Sequence, residues 1–115
     1  MKQLLPLLLL ASPALADPPD IVATAAVRQG DDWRVSVTLL HPDTGWEHYA
    51  DGWRVEAEDG TVLGTRVLVH PHESEQPFTR ALSGVSIPEG TTRIFIRARC
   101  LVDGWNAERI AYDLP

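Results

Sequence analysis

The chain has 115 residues and a formal net charge of minus 6, with 16 acidic residues against 10 basic ones. This length suits one small domain, and no stretch reaches the roughly 20 apolar residues that a membrane-spanning helix needs. An acidic chain with scattered arginines repels polyphosphates and anionic lipids. Nucleic-acid binding, membrane insertion and membrane-surface binding are therefore disfavoured.

The first 16 residues have the pattern of a secretory signal peptide. Lys2 gives a short positive segment, an apolar run covers residues 4–10, and Ala14 and Ala16 supply the small residues of a cleavage site. We therefore expect a signal peptide at 1–16 and a single domain at 17–115, periplasmic or secreted and soluble after cleavage. Because the only cysteine is Cys100, we expect neither a lipid anchor at the cleavage site nor an intramolecular disulfide.

Apolar and polar residues alternate with a period of two along most of the predicted domain, in segments bounded by Gly, Pro, Asp or Asn. This pattern predicts seven strands, at residues 21–27, 33–39, 46–58, 62–69, 78–87, 93–101 and 110–114. Asp51-Gly52 predicts a bulge, Asp59-Gly60 predicts a tight hairpin turn, and the proline-bounded residues 70–77 predict a loop.

No window outside the leader has helical spacing without an internal Gly or Pro. Seven short strands in about 100 residues favour an all-β fold, a two-sheet antiparallel sandwich. We expect Trp33 and Trp53 at its centre. Cys100 shares a face with neighbouring apolar residues of its strand, so we expect it to be a small buried hydrophobe rather than a nucleophile.

The segment from Thr91 to Cys100, followed by Asp103 and Gly104, resembles the penultimate strand of fibronectin type III and related immunoglobulin-like domains. The resemblance implies a seven-stranded immunoglobulin-like, fibronectin III-like sandwich, and it implies no activity. The stretch from His70 to Arg80 also resembles a segment of small uncharacterised exported bacterial proteins.

The four histidines fall in two segments, His41 and His48 around one turn, and His70 and His72 at the start of the 70–77 loop. In extended backbone the rings of His70 and His72 project to one side, and Glu73 could add an oxygen ligand. Imidazole with carboxylate suits zinc or copper(II), so one hypothesis is a metal site of His70, His72, Glu73 and His48. The alternative is that these histidines are structural or solvated loop residues, and the sequence leaves open whether the two segments lie at the same end of the sandwich.

Aromatic residues near the predicted turns suggest a second kind of site. Flat rings at loop ends can stack on sugars or grip a peptide, although such rings also serve as core and strand-end caps. The binding surface predicted in this way has seven members: Trp46, His48, Tyr49, His70, His72, Glu73 and Trp105.

The sequence contains no nucleophile motif and no phosphate-binding glycine motif. We therefore expect a non-catalytic domain without a cofactor that recognises an envelope protein or peptide through its loop ends. The alternative is a histidine-based zinc or copper binding or delivery domain.

Overall fold

The structure, a computed structural model, describes residues 17–115, so the predicted signal peptide at 1–16 lies outside it. The described residues form strands and no helix, and none of their elements is a helix that could span a membrane. The strands are β1 (Asp20–Gln29), β2 (Asp32–Leu40), β3 (Ala50–Glu56), β4 (Val62–Val67), β5 (Phe78–Val85), β6 (Arg93–Cys100), β7 (Gly104–Trp105) and β8 (Ile110–Asp113).

The strands make two antiparallel sheets, which confirms the all-β prediction and is consistent with a sandwich. One sheet has the order β1-β2-β5, and the other has the order β4-β3-β6-β7 with β8 also paired to β6. The prediction of seven strands is wrong, since the described residues hold eight. The additional strand, β7, has only Gly104 and Trp105, which is too short for any alternating pattern to reveal. The immunoglobulin-like arrangement stays a prediction.

The core lies between the inner faces of the two sheets. Val35, Val37 and Leu39 of β2 are fully buried or nearly so, as the alternation predicts for a strand with one solvated face. Trp33 and Trp53 are both buried, which confirms their predicted place in the core. The protein thus has an apolar core of its own.

The predicted bulge at Asp51-Gly52 is confirmed by a shift in the pairing of β3 with β6 between Ala50 and Gly52. The shift leaves Ala50 directly opposite Cys100 at the end of β6. A bulge bends its strand and re-aims the residues on one side of it. The loop that precedes Ala50 is thereby brought beside the end of β6.

An ion-pair network lies on the outer face of the five-stranded sheet around the buried carboxylate of Glu56. This carboxylate accepts hydrogen bonds from Arg54 Nε at 2.7 Å, Arg97 Nε at 2.8 Å and Arg109 Nη1 at 3.1 Å. Burial by itself raises the pKa of Glu56, but the hydrogen bonds from Arg97, Arg54 and Arg109 outweigh burial and lower this pKa to about 2. The network joins β3, β6 and the segment before β8.

Candidate metal centre

Three parts of the chain meet at one end of the sandwich: the loop after β2, the beginning of β3 and the end of β6. The amide of Leu101 donates a hydrogen bond to the carbonyl of Tyr49 at 2.9 Å. Together with the pairing of Ala50 and Cys100, this contact fixes the loop of residues 41–49 against the turn that follows β6. A histidine from each end of that loop and the cysteine of β6 therefore lie near one another.

The loop of residues 41–49 closes on itself. The amide of Thr44 donates to the carbonyl of His48 at 3.0 Å, and the amide of His48 donates to the carbonyl of Gly45 at 3.1 Å. Gly45 has a φ of 142°, a conformation that L side chains rarely adopt. The closed loop places the rings of His41 and His48 edge to face, with their centroids 4.8 Å apart.

His41, His48 and Cys100 form a group that could hold a metal ion. One ligand atom from each of the three residues lies within 4.8 Å of the other two. Donor atoms around a tetrahedral zinc ion are about 3.3 to 3.7 Å apart, so loading requires a contraction of about 1 Å. The ring of His48 is only half-buried and can provide that movement.

The Nε2 atoms of His41 and His48 are both buried, and neither has a hydrogen-bond partner within residues 17–115. Nearly all buried polar atoms in folded proteins have such a partner, because leaving one unpaired costs about 1 to 3 kcal/mol. These two imidazole nitrogens of one loop are therefore free to contact a ligand.

Asp43 positions His41. Its Oδ1 accepts hydrogen bonds from His41 Nδ1 at 2.6 Å and from the amide of Ala50 at 2.9 Å, and its Oδ2 accepts one from the amide of His72 at 2.8 Å. The side chain of Asp43 is fully buried. Since a carboxylate accepts, Nδ1 of His41 carries the proton, and the lone pair of this ring is at Nε2. Histidine ligands of metals are commonly held in this way by a carboxylate.

Burial and a neighbouring carboxylate favour the neutral thiol of Cys100 while no cation is bound. Its side chain is fully buried, and burial raises the pKa of the thiol. The amide of Asp103 donates to Sγ at 3.4 Å, and Oδ2 of Asp103 lies 3.5 Å from Sγ. A hydrogen bond from the backbone nitrogen of Asp17 is the main cause that lowers the pKa of the Asp103 carboxyl, which therefore stays ionised beside the sulfur.

The two histidine segments lie at the same end of the sandwich, a question that the sequence left open. The contact of Asp43 with the amide of His72 joins them, and so does the hydrogen bond from the amide of His41 to Gln76 Oε1 at 3.0 Å. The histidines nevertheless form two separate pairs, since the ring of His70 packs against that of His72 with centroids 4.6 Å apart.

His72 is buried; its ring face and its Nε2 make contacts, whereas its Nδ1 has no hydrogen-bond partner among residues 17–115. Its ring stacks on Phe78 with the centroids 3.9 Å apart, and its Nε2 accepts a hydrogen bond from Arg80 Nη2 at 2.9 Å. Burial, with the nearby charge of Arg80, lowers the pKa of His72 and keeps it neutral. His70 and Glu73 are exposed. Of the predicted metal ligands only His48 belongs to the three-residue group, and the set of His70, His72 and Glu73 stays a prediction.

The predicted aromatic residues lie in different surroundings. Trp46 is 66% exposed and meets Tyr49 edge to face, next to the candidate centre. Trp105 is half-buried between the guanidinium groups of Arg54 and Arg99, at 4.1 Å and 5.3 Å from its ring centroid. Trp105 therefore caps the outer face of the sheet, whereas Trp46 remains available at the surface.

A cleft of about 590 Å³ begins beside the candidate centre. It lies between the segment before β1 and the segment that connects β6 to β8. Asp103 lines the cleft, and Asn106 Nδ2 donates to the carbonyl of Pro19 at 3.1 Å across its floor. The apolar residues that line it are Pro18, Pro19, Ile21, Trp105, Ala107 and Ile110, and Asp20 and Glu108 add two carboxylates beside that of Asp103.

Sequence reasoning did not select His41, Cys100 or Asp103. The prediction that Cys100 is buried is confirmed, but its neighbours depend on which strand ends meet, which periodicity does not reveal. The available signal was the antiparallel pairing of β3 with β6. Placing Trp53 opposite Ala98 puts the start of β3, and so His48, beside the end of β6.

Comparison with known proteins finds a structure with a similar fold and a relative that this chain matches over part of its length. No family model matches the chain. A Halomicrobium mukohataei protein named "Putative lipoprotein" is 42% identical over 78 residues, which are 68% of this chain and 38% of the relative, so the chain spans well under half of that protein. The crystal structure of hypothetical protein PH1083 from Pyrococcus horikoshii OT3 is similar with a TM-score of 0.56 and 15% identity, covering 85% of this chain and 90% of that one. This likeness shows the β-rich fold alone.

The role of Asp43 can be tested against a second buried carboxylate. Asp43→Asn turns an amide group toward an N–H donor, and we expect it to lower the free energy of unfolding by about 2 to 4 kcal/mol. It should also weaken zinc affinity by about 10- to 100-fold, as loss of the carboxylate behind a histidine ligand does. Chemical denaturation and calorimetric zinc titration measure the two effects.

Glu56→Gln is the control, because it removes a buried carboxylate on the outer face of the sheet. It should lower stability at neutral pH and leave zinc affinity unchanged. Since the folded pKa of Glu56 is about 2 against an ordinary 4.5, its stabilisation is complete above pH 4.5 and is lost as the pH falls toward 2. Equal zinc affinity in Asp43→Asn and the unmodified protein would contradict the positioning role of Asp43.

Proposed function

We propose that this domain binds one transition-metal ion, zinc or copper, through His41, His48 and Cys100. The observation that carries the proposal is the pair of buried, unpartnered imidazole nitrogens in a group that includes a buried thiol. A bound cation would take up the lone pairs of both nitrogens and replace the proton on Sγ. It would thereby remove the cost of leaving these polar atoms buried without partners.

The donor types favour zinc and copper over other biological cations. Thiolate and imidazole are the ligands of both metals in proteins, whereas magnesium and calcium take oxygen donors. Asp43 supports the set by holding His41 with Nε2 free, and the amide of Asp103 supports the thiolate by donating to sulfur. The donors would be presented on a loop and a strand end that the apolar core already supports.

The fold has an apolar core, mainly of strand side chains, between its two sheets, and His41 and His48 lie on the loop after β2. We therefore propose a domain that holds or delivers the ion and has no catalytic role, rather than one that needs the ion to fold. This distinguishes it from small zinc domains, which unfold without metal.

Metal content of the untagged protein tests the proposal. We expect about one zinc or copper ion per chain after purification, and a rise in melting temperature when either metal is added to the metal-free protein. Cys100→Ser should lose the retained metal and the thermal shift. His70→Ala should keep both, because His70 is exposed and outside the group.

Two results would count against the assignment. Absence of retained metal together with absence of a thermal shift at micromolar zinc or copper would overturn metal binding altogether. Loss of metal in His70→Ala with retention in Cys100→Ser would move the site to the loop of residues 70–77, the set that the sequence suggested.

We also propose, as a second function, that the same end of the domain binds an envelope protein or peptide. Trp46 supports it, because a tryptophan that is 66% exposed beside a candidate site is an unusual surface residue. Leu101 and Val102 are likewise exposed on the adjoining turn. Crosslinking in intact cells should capture a specific partner that is lost in Trp46→Ala but kept in Val22→Ala, a control at an exposed position of β1. Capture that is unaffected by Trp46→Ala would reject this surface.

We propose further that the protein is exported and has a fibronectin III-like arrangement. The signal-peptide pattern of residues 1–16 supports export, as does the lipoprotein name of the partial relative. The sheet topology supports this arrangement. A three-stranded sheet with the order β1-β2-β5 faces a larger sheet that has β3 and β6 at its centre.

A further inference from the structure

We propose that Asp103 is the fourth ligand of the metal centre, displaceable by a small carboxylate that enters from the adjoining cleft. This inference rests on the proposed function, since it assigns the position that His41, His48 and Cys100 leave open. Three protein donors with one open position are typical of sites that bind an exogenous ligand, and four protein donors are typical of closed sites. An exposed side chain at the fourth position would allow both states.

The separation of Asp103 from Cys100 suits a shared ion. Oδ2 of Asp103 lies 3.5 Å from Sγ of Cys100. Two ligands of a tetrahedral zinc ion, with bonds of about 2.3 Å to sulfur and about 2.0 Å to oxygen, are about 3.5 Å apart. The carboxylate and sulfur therefore already have the spacing of neighbouring ligands, and the ion would replace the thiol proton between them.

Backbone geometry holds Asp103 in this place. It lies three residues after Cys100 on the turn between β6 and β7, where Gly104 has a φ of 76°. The amide of Asp103 donates to Sγ, and the backbone nitrogen of Asp17 donates to Oδ2 at 3.0 Å. A carboxylate oxygen has two lone pairs, so it can accept the hydrogen bond from Asp17 while it coordinates an ion.

The cleft supplies the route for the incoming group. Asp103 lies in its wall with two further carboxylates, Asp20 and Glu108, and the apolar part of the lining includes Ile21, Trp105 and Ile110. The apolar or aromatic body of a small carboxylate would fill the apolar part of this space. Its carboxylate group would take the place of the Asp103 carboxylate at the metal. The volume of the cleft, about 590 Å³, is within the range of small-molecule sites.

Cobalt(II) in place of zinc gives a direct readout, because its visible bands report the number and type of ligands and the thiolate contributes a separate charge-transfer band. In the full-length protein loaded with cobalt(II), Asp103→Asn should change the visible bands while the thiolate band remains. Asp103→Glu should keep bands of the unmodified type. Glu108→Gln, a variant in the same cleft, should leave the spectrum unchanged.

Benzoate is the probe for the incoming ligand. It should shift the visible bands of the cobalt(II) protein saturably, and it should restore bands of the unmodified type in Asp103→Ala at a concentration at least tenfold lower than acetate requires. Failure of benzoate to alter either spectrum would overturn the exogenous-ligand part of the inference.

The outcomes separate this inference from the proposed function. A thiolate band in both the unmodified protein and Asp103→Asn, with superimposable visible bands, would overturn the ligand role of Asp103 and leave the metal centre standing. Absence of the thiolate band in the unmodified protein would overturn both. Circular dichroism of each variant establishes that the fold is retained before the spectra are compared.

Discussion

The buried carboxylate of Asp43 is the contact on which the geometry of the candidate centre depends. It accepts hydrogen bonds from the His41 ring and from the amides of Ala50 and His72, so it joins the loop after β2, the start of β3 and the loop of residues 70–77. A buried carboxylate is costly unless such donors surround it. Here the same contacts that compensate its burial also fix the tautomer of His41 with the lone pair at Nε2. In the proposed site, stability and ligand geometry would thus depend on one residue.

The two buried carboxylates among residues 17–115, Asp43 and Glu56, are compensated by different kinds of partner. Glu56 is surrounded by arginine side chains on the outer face of the larger sheet, where its charge is neutralised by ion pairs. Asp43 is compensated by two backbone amides and one imidazole, and no arginine or lysine ion pair with it exists among residues 17–115. A cation bound by His41 would therefore be the positive partner that Asp43 lacks. In the account proposed above, the metal completes an electrostatic pair as well as a coordination sphere.

The sequence predicted the strands better than it predicted the site. Alternation located β2 and β6 closely and the Asp51-Gly52 bulge correctly, because a half-buried strand must alternate and a bulge needs a flexible residue. It missed β7, since two residues carry no period. The histidine segments do lie at one end of the sandwich, but the spacing of His70 and His72 favours these two as ligands, whereas the structure groups His41 and His48 with Cys100. Cys100 was set aside because its apolar neighbours mark it as a buried residue. Burial is correct, and its nearness to His48 follows only from the long-range pairing of β3 with β6.

The central claim is that one metal ion is bound by a thiolate and two imidazoles at the end of the sandwich. X-ray absorption at the metal edge of the untagged, zinc-loaded protein tests it most directly, because the scattering distances identify the ligand atoms. The account predicts one sulfur at about 2.3 Å, two imidazole nitrogens at about 2.0 to 2.1 Å and one further oxygen at a similar distance. A shell of nitrogen and oxygen without sulfur would contradict it, since Cys100 would then not be a ligand.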